Sequence, residues 1–148
     1  MLPKNFYFII FLLSQLAGEV YYVPGDYASI QNAIDVSDDG DTVLISQGTY
    51  AESINFNGKS ILVSSRYFID NDSTLIANTI IDAQSSGSVA TFSSGETDQS
   101  VLQGLTLQNG TGNDADPDGN GSFYKYGGGV YCENSDPIIR NCIISNNI

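Results

Sequence analysis

Apolar residues in this chain come in short clusters, and nearly every cluster is closed within a few positions by Gly, Asn, Asp or Ser. Only one segment has helical spacing. Ile30, Ala33 and Ile34 fall at i, i+3 and i+4, with Asp26 or Ser29 placed to cap and Ser37-Asp-Asp-Gly40 placed to stop, so a helix is predicted over 27–36. Before it, Val20–Val23 reads as a short extended piece ended by Pro24-Gly25. After it the clusters are strand-like: 42–45, 52–56, 60–64, 79–82, 88–92 and 101–107, with a turn at Gly48. All are near the short end for strands.

The pattern repeats. Val101–Asn109 aligns with Ile138–Asn146 at an offset of 37, with apolar residues meeting at 101/138, 102/139, 105/142 and 107/144 and Asn109 meeting Asn146. A Gly-, Asn- and Asp-rich loop from Gly110 to Gly121 lies inside that offset; without it the period falls to about 25, in the range of stacked repeat units. Strands this short, joined by small turns, suit an all-β solenoid whose coils bury inward side chains against their neighbours. Asn at matching turn positions tolerates left-handed backbone, and its amide can bond to the Asn above or below. The helix then has a natural place across the open end of the stack, with Ile30 and Ile34 on its apolar cross-section.

Residues 29–65 (SIQNAIDVSDDGDTVLISQGTYAESINFNGKSILVSS) resemble the capping helix and first coils of right-handed parallel β-helix proteins of the pectin-lyase-like class, and 127–147 (GGGVYCENSDPIIRNCIISNN) resemble their later coils. The resemblance implies a right-handed parallel β-helix with a short N-terminal capping α-helix. It implies no single activity, because that class holds enzymes and non-enzymes alike.

Lys4, the apolar run Phe6–Leu13 and the small residues Ala17 and Gly18 read as a secretory signal peptide over 1–18, too short to span a membrane. The mature domain is then 19–148: a cap over 20–37, coils over 42–148, and a stack expected to be incomplete at its C-terminal end. Seventeen acidic against five basic residues, net −12, argue against nucleic acid and anionic membranes and suit hard cations such as calcium. The chain has no histidine, which removes Ser-His-Asp and Cys-His catalysis and His-ligated metals within it. Cys132 and Cys142 each fit an inward apolar position and are expected as buried thiols rather than a disulfide.

Catalytic candidates are few. Gly48–Ile54 resembles the first coil of pectin methylesterases, but their Gln-Asp-Thr and Asp-Phe-Ile-Phe-Gly segments have no counterpart, nor does the Asn-Thr-Asp, paired-Asp and Gly-His-Gly set of polygalacturonases. Asp38-Asp39 sits in a Gly-ended turn and reads as solvated, since paired carboxylates need a fixed separation across a sugar. Pectate lyases of this class use calcium with an Arg or Lys base; Arg66, Lys125 and Arg140 are the cations on offer here, and a lone Arg140 on a coil face is ordinarily solvated. Tyr21, Tyr22, Tyr124 and Tyr126 have faces for sugars, though packing is the plainer role.

The sharpest chemical feature is Asp114-Ala-Asp-Pro-Asp-Gly-Asn120. Asp114, Asp116, Asp118 and Asn120 place oxygens at alternate steps before a tight turn, as in calcium loops. The twelfth position is Lys125 rather than Glu, so this is no EF-hand, and any calcium site lacks its bidentate ligand.

The expected function is a non-catalytic structural, adhesive or glycan-contact module, secreted or at the cell surface. Its expected partners are an extracellular polysaccharide or another surface protein, with no nucleic acid and no membrane insertion. Two alternatives stand: a truncated carbohydrate-active enzyme (a lyase or pectin-esterase-like protein) with active residues beyond 148, and a passenger segment of an autotransporter-like outer-membrane protein.

Overall fold

A computed structural model describes residues 18–116, 119, 121–122 and 124–148. The proposed signal peptide lies almost entirely outside the described residues. In chain order the elements are β1 (Val20–Val23), α1 (Ile30–Val36), β2 (Thr42–Ile45), β3 (Gly48–Tyr50), β4 (Ile54–Asn55), β5 (Leu62–Ser65), α2 (Tyr67–Asp70), α3 (Thr74–Asn78), β6 (Thr79–Asp82) and β7 (Ala90–Phe92). They continue as β8 (Val101–Gln103), β9 (Thr106–Gln108), β10 (Asn113–Ala115), β11 (Tyr124–Tyr126), β12 (Val130–Cys132), β13 (Ile138–Arg140) and β14 (Ile143–Ser145).

The molecule is mainly β, and its strands pair in parallel except in one hairpin. The first sheet runs β1-β2-β5-β8-β13, the second β3-β6-β9-β14 and the third β4-β7-β12, while β10 and β11 form a separate antiparallel pair. Sheet order therefore follows chain order in every parallel sheet. The first circuit, from Thr42 to its partner Leu62, takes 20 residues. Val101 pairs with Ile138 and Leu107 with Ile144, the offset of 37 seen in the sequence.

Side chains alternate across each strand. Val43, Val63 and Leu102 occupy one register row and are fully buried, with Tyr21 and Ile139 packed at its two ends. Ile81 and Leu107 form a row in the second sheet. In the third sheet Phe56 lies over Phe92, both fully buried, with ring centroids 4.4 Å apart and planes tilted by 36°. Burying two such rings contributes about 3–6 kcal/mol.

The helix is shorter than its sequence pattern. It begins at Ile30 because Ser29 is the N-cap, its Oγ accepting from the Asn32 N–H at 3.2 Å; Asp26 instead accepts from the Tyr22 N–H at 2.8 Å. Ile30, Ala33 and Ile34 are fully buried, as their spacing predicts.

The predicted strand over 101–107 is two strands, because Gly104 adopts φ +71° and turns the chain. A Cβ there would sit 2.9 Å from the Ser65 Oγ and 3.0 Å from the Tyr67 Cβ, so a side chain has no room. Asn141, one repeat later, takes the same left-handed geometry at φ +52°. Asn109 and Asn146 are left-handed as expected, at φ +60° and +56°. The Asn109 amide, however, donates to the Asp82 carboxylate at 2.8 Å rather than to another Asn. Gly48 opens a strand instead of forming only a turn, and the 110–121 loop contains one arm of the β10–β11 hairpin.

Both cysteines are free thiols, as expected, but neither is fully buried: Cys142 is half-buried and Cys132 is exposed. The register partner of Cys132, Phe92, is inward, yet β12 is the last strand of its sheet and no described strand pairs with its other side. Ile138, Ile143 and Ile144 on β13 and β14 are exposed for the same reason.

Candidate functional site

The residues with chemical potential are mostly bonded to the chain's own backbone. Two of them clamp α1. Glu52 accepts from the Ile30 N–H at 3.0 Å through Oε1 and from the Gln31 N–H at 2.9 Å through Oε2. At the other end the Lys59 Nζ donates to the carbonyls of Ile34, Asp35 and Ser37 at 2.8, 2.7 and 2.6 Å. An anion at the first turn and a cation at the last both match the helix dipole and satisfy groups that a helix leaves unpaired. Gln31 completes the attachment. Its side chain donates to the Asn55 carbonyl at 3.1 Å and accepts from the Asn55 N–H at 2.7 Å, so a carboxamide replaces the missing strand at the β4 edge.

The acidic turn after α1 is equally committed. Asp39 accepts from the Ser60 N–H at 2.8 Å, and Asp41 accepts from the N–H groups of Glu19 and Asp38, both at 2.7 Å. The Asp38-Asp39 pair is thus part of a tied turn and not two carboxylates set across a cleft.

Glu96 is the most deeply placed carboxylate among the described residues, 2% exposed. Its Oε1 accepts from the Gly58 N–H at 2.8 Å; its Oε2 accepts from the Ser94 N–H at 2.9 Å and the Ser135 hydroxyl at 2.7 Å. Burial pushes its pKa up, but these donors outweigh burial and the carboxyl lies below its ordinary range. Asp82 is lowered too, by the Gln108 amide at 2.9 Å and then by the Gln84 N–H at 2.8 Å.

The four described cations each have an internal partner. Besides Lys59, Arg66 pairs with Asp70 at 3.0 Å, Lys125 with Asp114 at 3.3 Å, and the Arg140 Nε donates to the Gln103 Oε1 at 2.6 Å. None of the proposed base residues stands beside a paired set of carboxylates.

The predicted calcium residues fall at the β10–β11 hairpin. Asp114 lies on β10 directly opposite Lys125 on β11, and the Asp116 Oδ2 accepts from the Gly121 N–H at 2.9 Å. Asp118 and Asn120 lie outside the described residues. Among the described residues no group of three or more Asp, Glu, Cys or His converges as a metal cluster.

Tyr124 and Tyr126 share one face of β11 and are 55% and 41% exposed, with ring centroids 6.4 Å apart at 73°. Tyr126 is the register partner of Asn113, whose Nδ2 donates to the Thr91 Oγ1 at 3.2 Å on the outer side of the third sheet. Thr91 is in turn the partner of Tyr131. The Tyr131 phenol has its pKa raised, by burial first and by the nearby Glu133 carboxylate second.

The roles of Glu52, Lys59, Gln31 and Glu96 were not visible in sequence. Apart from Ser94 beside Glu96 and Asp35 one turn along from Gln31, their partners lie 21 to 39 residues away, and no local motif marks them. No helix among the described residues is long and apolar enough to cross a membrane. No protein-family model matches the chain, and neither the curated proteins nor the solved structures contain a match to it.

Proposed function

We propose that the three parallel sheets are the faces of a right-handed parallel β-helix of the pectin-lyase-like class, closed at one end by α1. In this proposal the chain is a secreted or cell-surface module that presents a rigid surface for adhesion or glycan contact and does no chemistry itself. The observation that carries it is the use of the charged side chains. Glu52, Lys59, Glu96, Asp39 and Asp41 hold backbone groups, and Arg66, Lys125 and Arg140 have partners of their own. A catalytic acid, base or lyase cation has to be free to meet substrate.

Calcium at the hairpin tip belongs to the same proposal. Its proposed ligands are Asp114, Asp116, Asp118 and Asn120; Lys125 already neutralises Asp114 and no bidentate Glu follows, so the affinity is weak, in the roughly 0.1–1 mM range of extracellular modules.

The test is to express the chain with its own leader, recover it from the medium, and incubate it with insoluble and soluble polysaccharides. The expected result is cleavage near residue 19, retention on at least one polysaccharide and no shortening of any. New reducing or unsaturated ends would overturn the non-catalytic assignment, and retention of the protein inside the cell would overturn the localisation.

A further inference from the structure

The tyrosines beside the hairpin form a surface that no structural duty accounts for. Asn55, Thr91 and Tyr131 occupy one register row on the outer side of the third sheet. The hairpin is pinned beside that row by the Asn113–Thr91 hydrogen bond at 3.2 Å and by the Ser88 Oγ donating to the Tyr126 carbonyl at 3.4 Å. Directly opposed residues of an antiparallel pair share a face, so Tyr126 lies on the same face as Asn113, which reaches Thr91, the register partner of Tyr131. Tyr124 extends the aromatic surface outward. The result is a surface with amide and hydroxyl side chains along the sheet row and phenol rings on the hairpin side.

Charge narrows what the surface can take. Glu133 is exposed and lies two residues along from Tyr131, on the same side of the extended chain, and the chain as a whole carries a net charge of −12. Lys125 points to the opposite face of β11 from Tyr124 and Tyr126 and is held by Asp114; the other described cations are bonded elsewhere. An anionic polymer such as a polyuronate therefore meets carboxylates and no available cation. A ring with apolar C–H faces, hydroxyls and an ammonium group meets aromatic faces, polar side chains and a carboxylate. Successive residues of the sheet row stand about 4.8 Å apart, close to the advance of one unit along an extended sugar chain.

We propose that this surface binds a cationic amino-sugar polymer, with Tyr124, Tyr126 and Tyr131 stacking on the sugar rings and Glu133 facing the ammonium groups. This deepens the glycan-contact part of the proposed function and rests on it.

The purified chain is titrated by calorimetry at mildly acidic pH with four probes: a glucosamine oligomer, its N-acetylated counterpart, a galacturonate oligomer and a lysine oligomer. The glucosamine oligomer is expected to bind best, and added salt is expected to weaken it. Tyr126→Ala and Tyr131→Ala should each weaken binding by about fivefold or more, Tyr126→Phe should retain it, and Glu133→Gln should reduce both affinity and salt dependence. Circular dichroism and melting of each variant separate lost binding from lost folding. Tighter binding of the galacturonate oligomer, no effect of the tyrosine changes, or equal tyrosine-dependent binding of the lysine oligomer would each overturn the inference. A galacturonate result would still leave the general glycan-contact function standing. Shortening of any oligomer during the titration would instead strike at the non-catalytic assignment and leave the binding surface in place.

Discussion

Glu96 joins three successive parts of the chain, and replacing it with Gln tests how much one carboxylate holds together. Its two oxygens take three donors, from Gly58, Ser94 and Ser135. Glutamine keeps one carbonyl oxygen. Placed at the Oε2 position, that oxygen keeps Ser94 and Ser135 and turns its NH2 toward the Gly58 N–H, donor against donor. One buried donor left unpaired costs about 1–3 kcal/mol, and the two retained bonds lose their charge assistance. The expected loss is about 2–4 kcal/mol, or roughly 8–15 °C in melting temperature for a domain of this size.

Acid provides an independent check. The folded pKa of Glu96 lies below its ordinary value of 4.5, so the folded state holds its proton less tightly than the unfolded chain. Its contribution is therefore fully present above about pH 4.5 and is lost as pH falls through the lower folded value. Chemical denaturation at a series of pH values should show a shallower acid limb for Glu96→Gln than for the parent. An unchanged melting temperature together with an unchanged acid limb would refute the structural role given to this carboxylate.

Three other outcomes are expected. Lys59→Met keeps the apolar stem but frees three carbonyls at the end of α1, so denaturant unfolding should show a loss of about 1–3 kcal/mol, and Glu52→Gln a smaller one. Ile34→Asp buries a carboxylate without a partner beneath α1 and should lower stability by several kcal/mol or prevent folding, read by circular dichroism and yield. Calcium at ten times its dissociation constant should add about 1.4 kcal/mol to thermal stability, and Asp116→Ala should remove that gain without unfolding the calcium-free protein; no heat of binding in a titration removes the metal proposal.

Much of the parallel-β architecture was legible because it rests on local pattern. The apolar face of α1 follows from Ile30, Ala33 and Ile34, and the offset between Val101 and Ile138 is the register of β8 with β13. The features that escaped have a common cause, namely dependence on partners remote in sequence. The segment Tyr67–Asn78 received no predicted element, yet it forms α2 and α3, with the Thr106 Oγ1 donating to the Ile76 carbonyl at 2.8 Å. The break within 101–107 turns on Gly104, where the crowding comes from Ser65 and Tyr67. At the candidate site Tyr124 and Tyr126 stood out among the rings with faces for sugars but Tyr131 did not, because what brings the hairpin to the third sheet is Asn113 reaching Thr91 across 22 residues. Lys125 at the twelfth loop position was the one local sign that Asp114 already had a partner.

The strands of each parallel sheet lie in the order in which they are synthesised. Each strand joins an edge that the ribosome has already delivered, and none after the first in its sheet has to wait for a later segment to supply a partner. α1, Glu52 and Lys59 all fall within the first two-fifths of the chain, so the clamped helix and the first strands can form before the rest emerges and then serve as the template for the later strands. Parallel pairing is ordinarily slow because its contacts are distant in sequence. Growth from strands already in place reduces that search to adding the next strand of each sheet, one at a time, at the pace of translation.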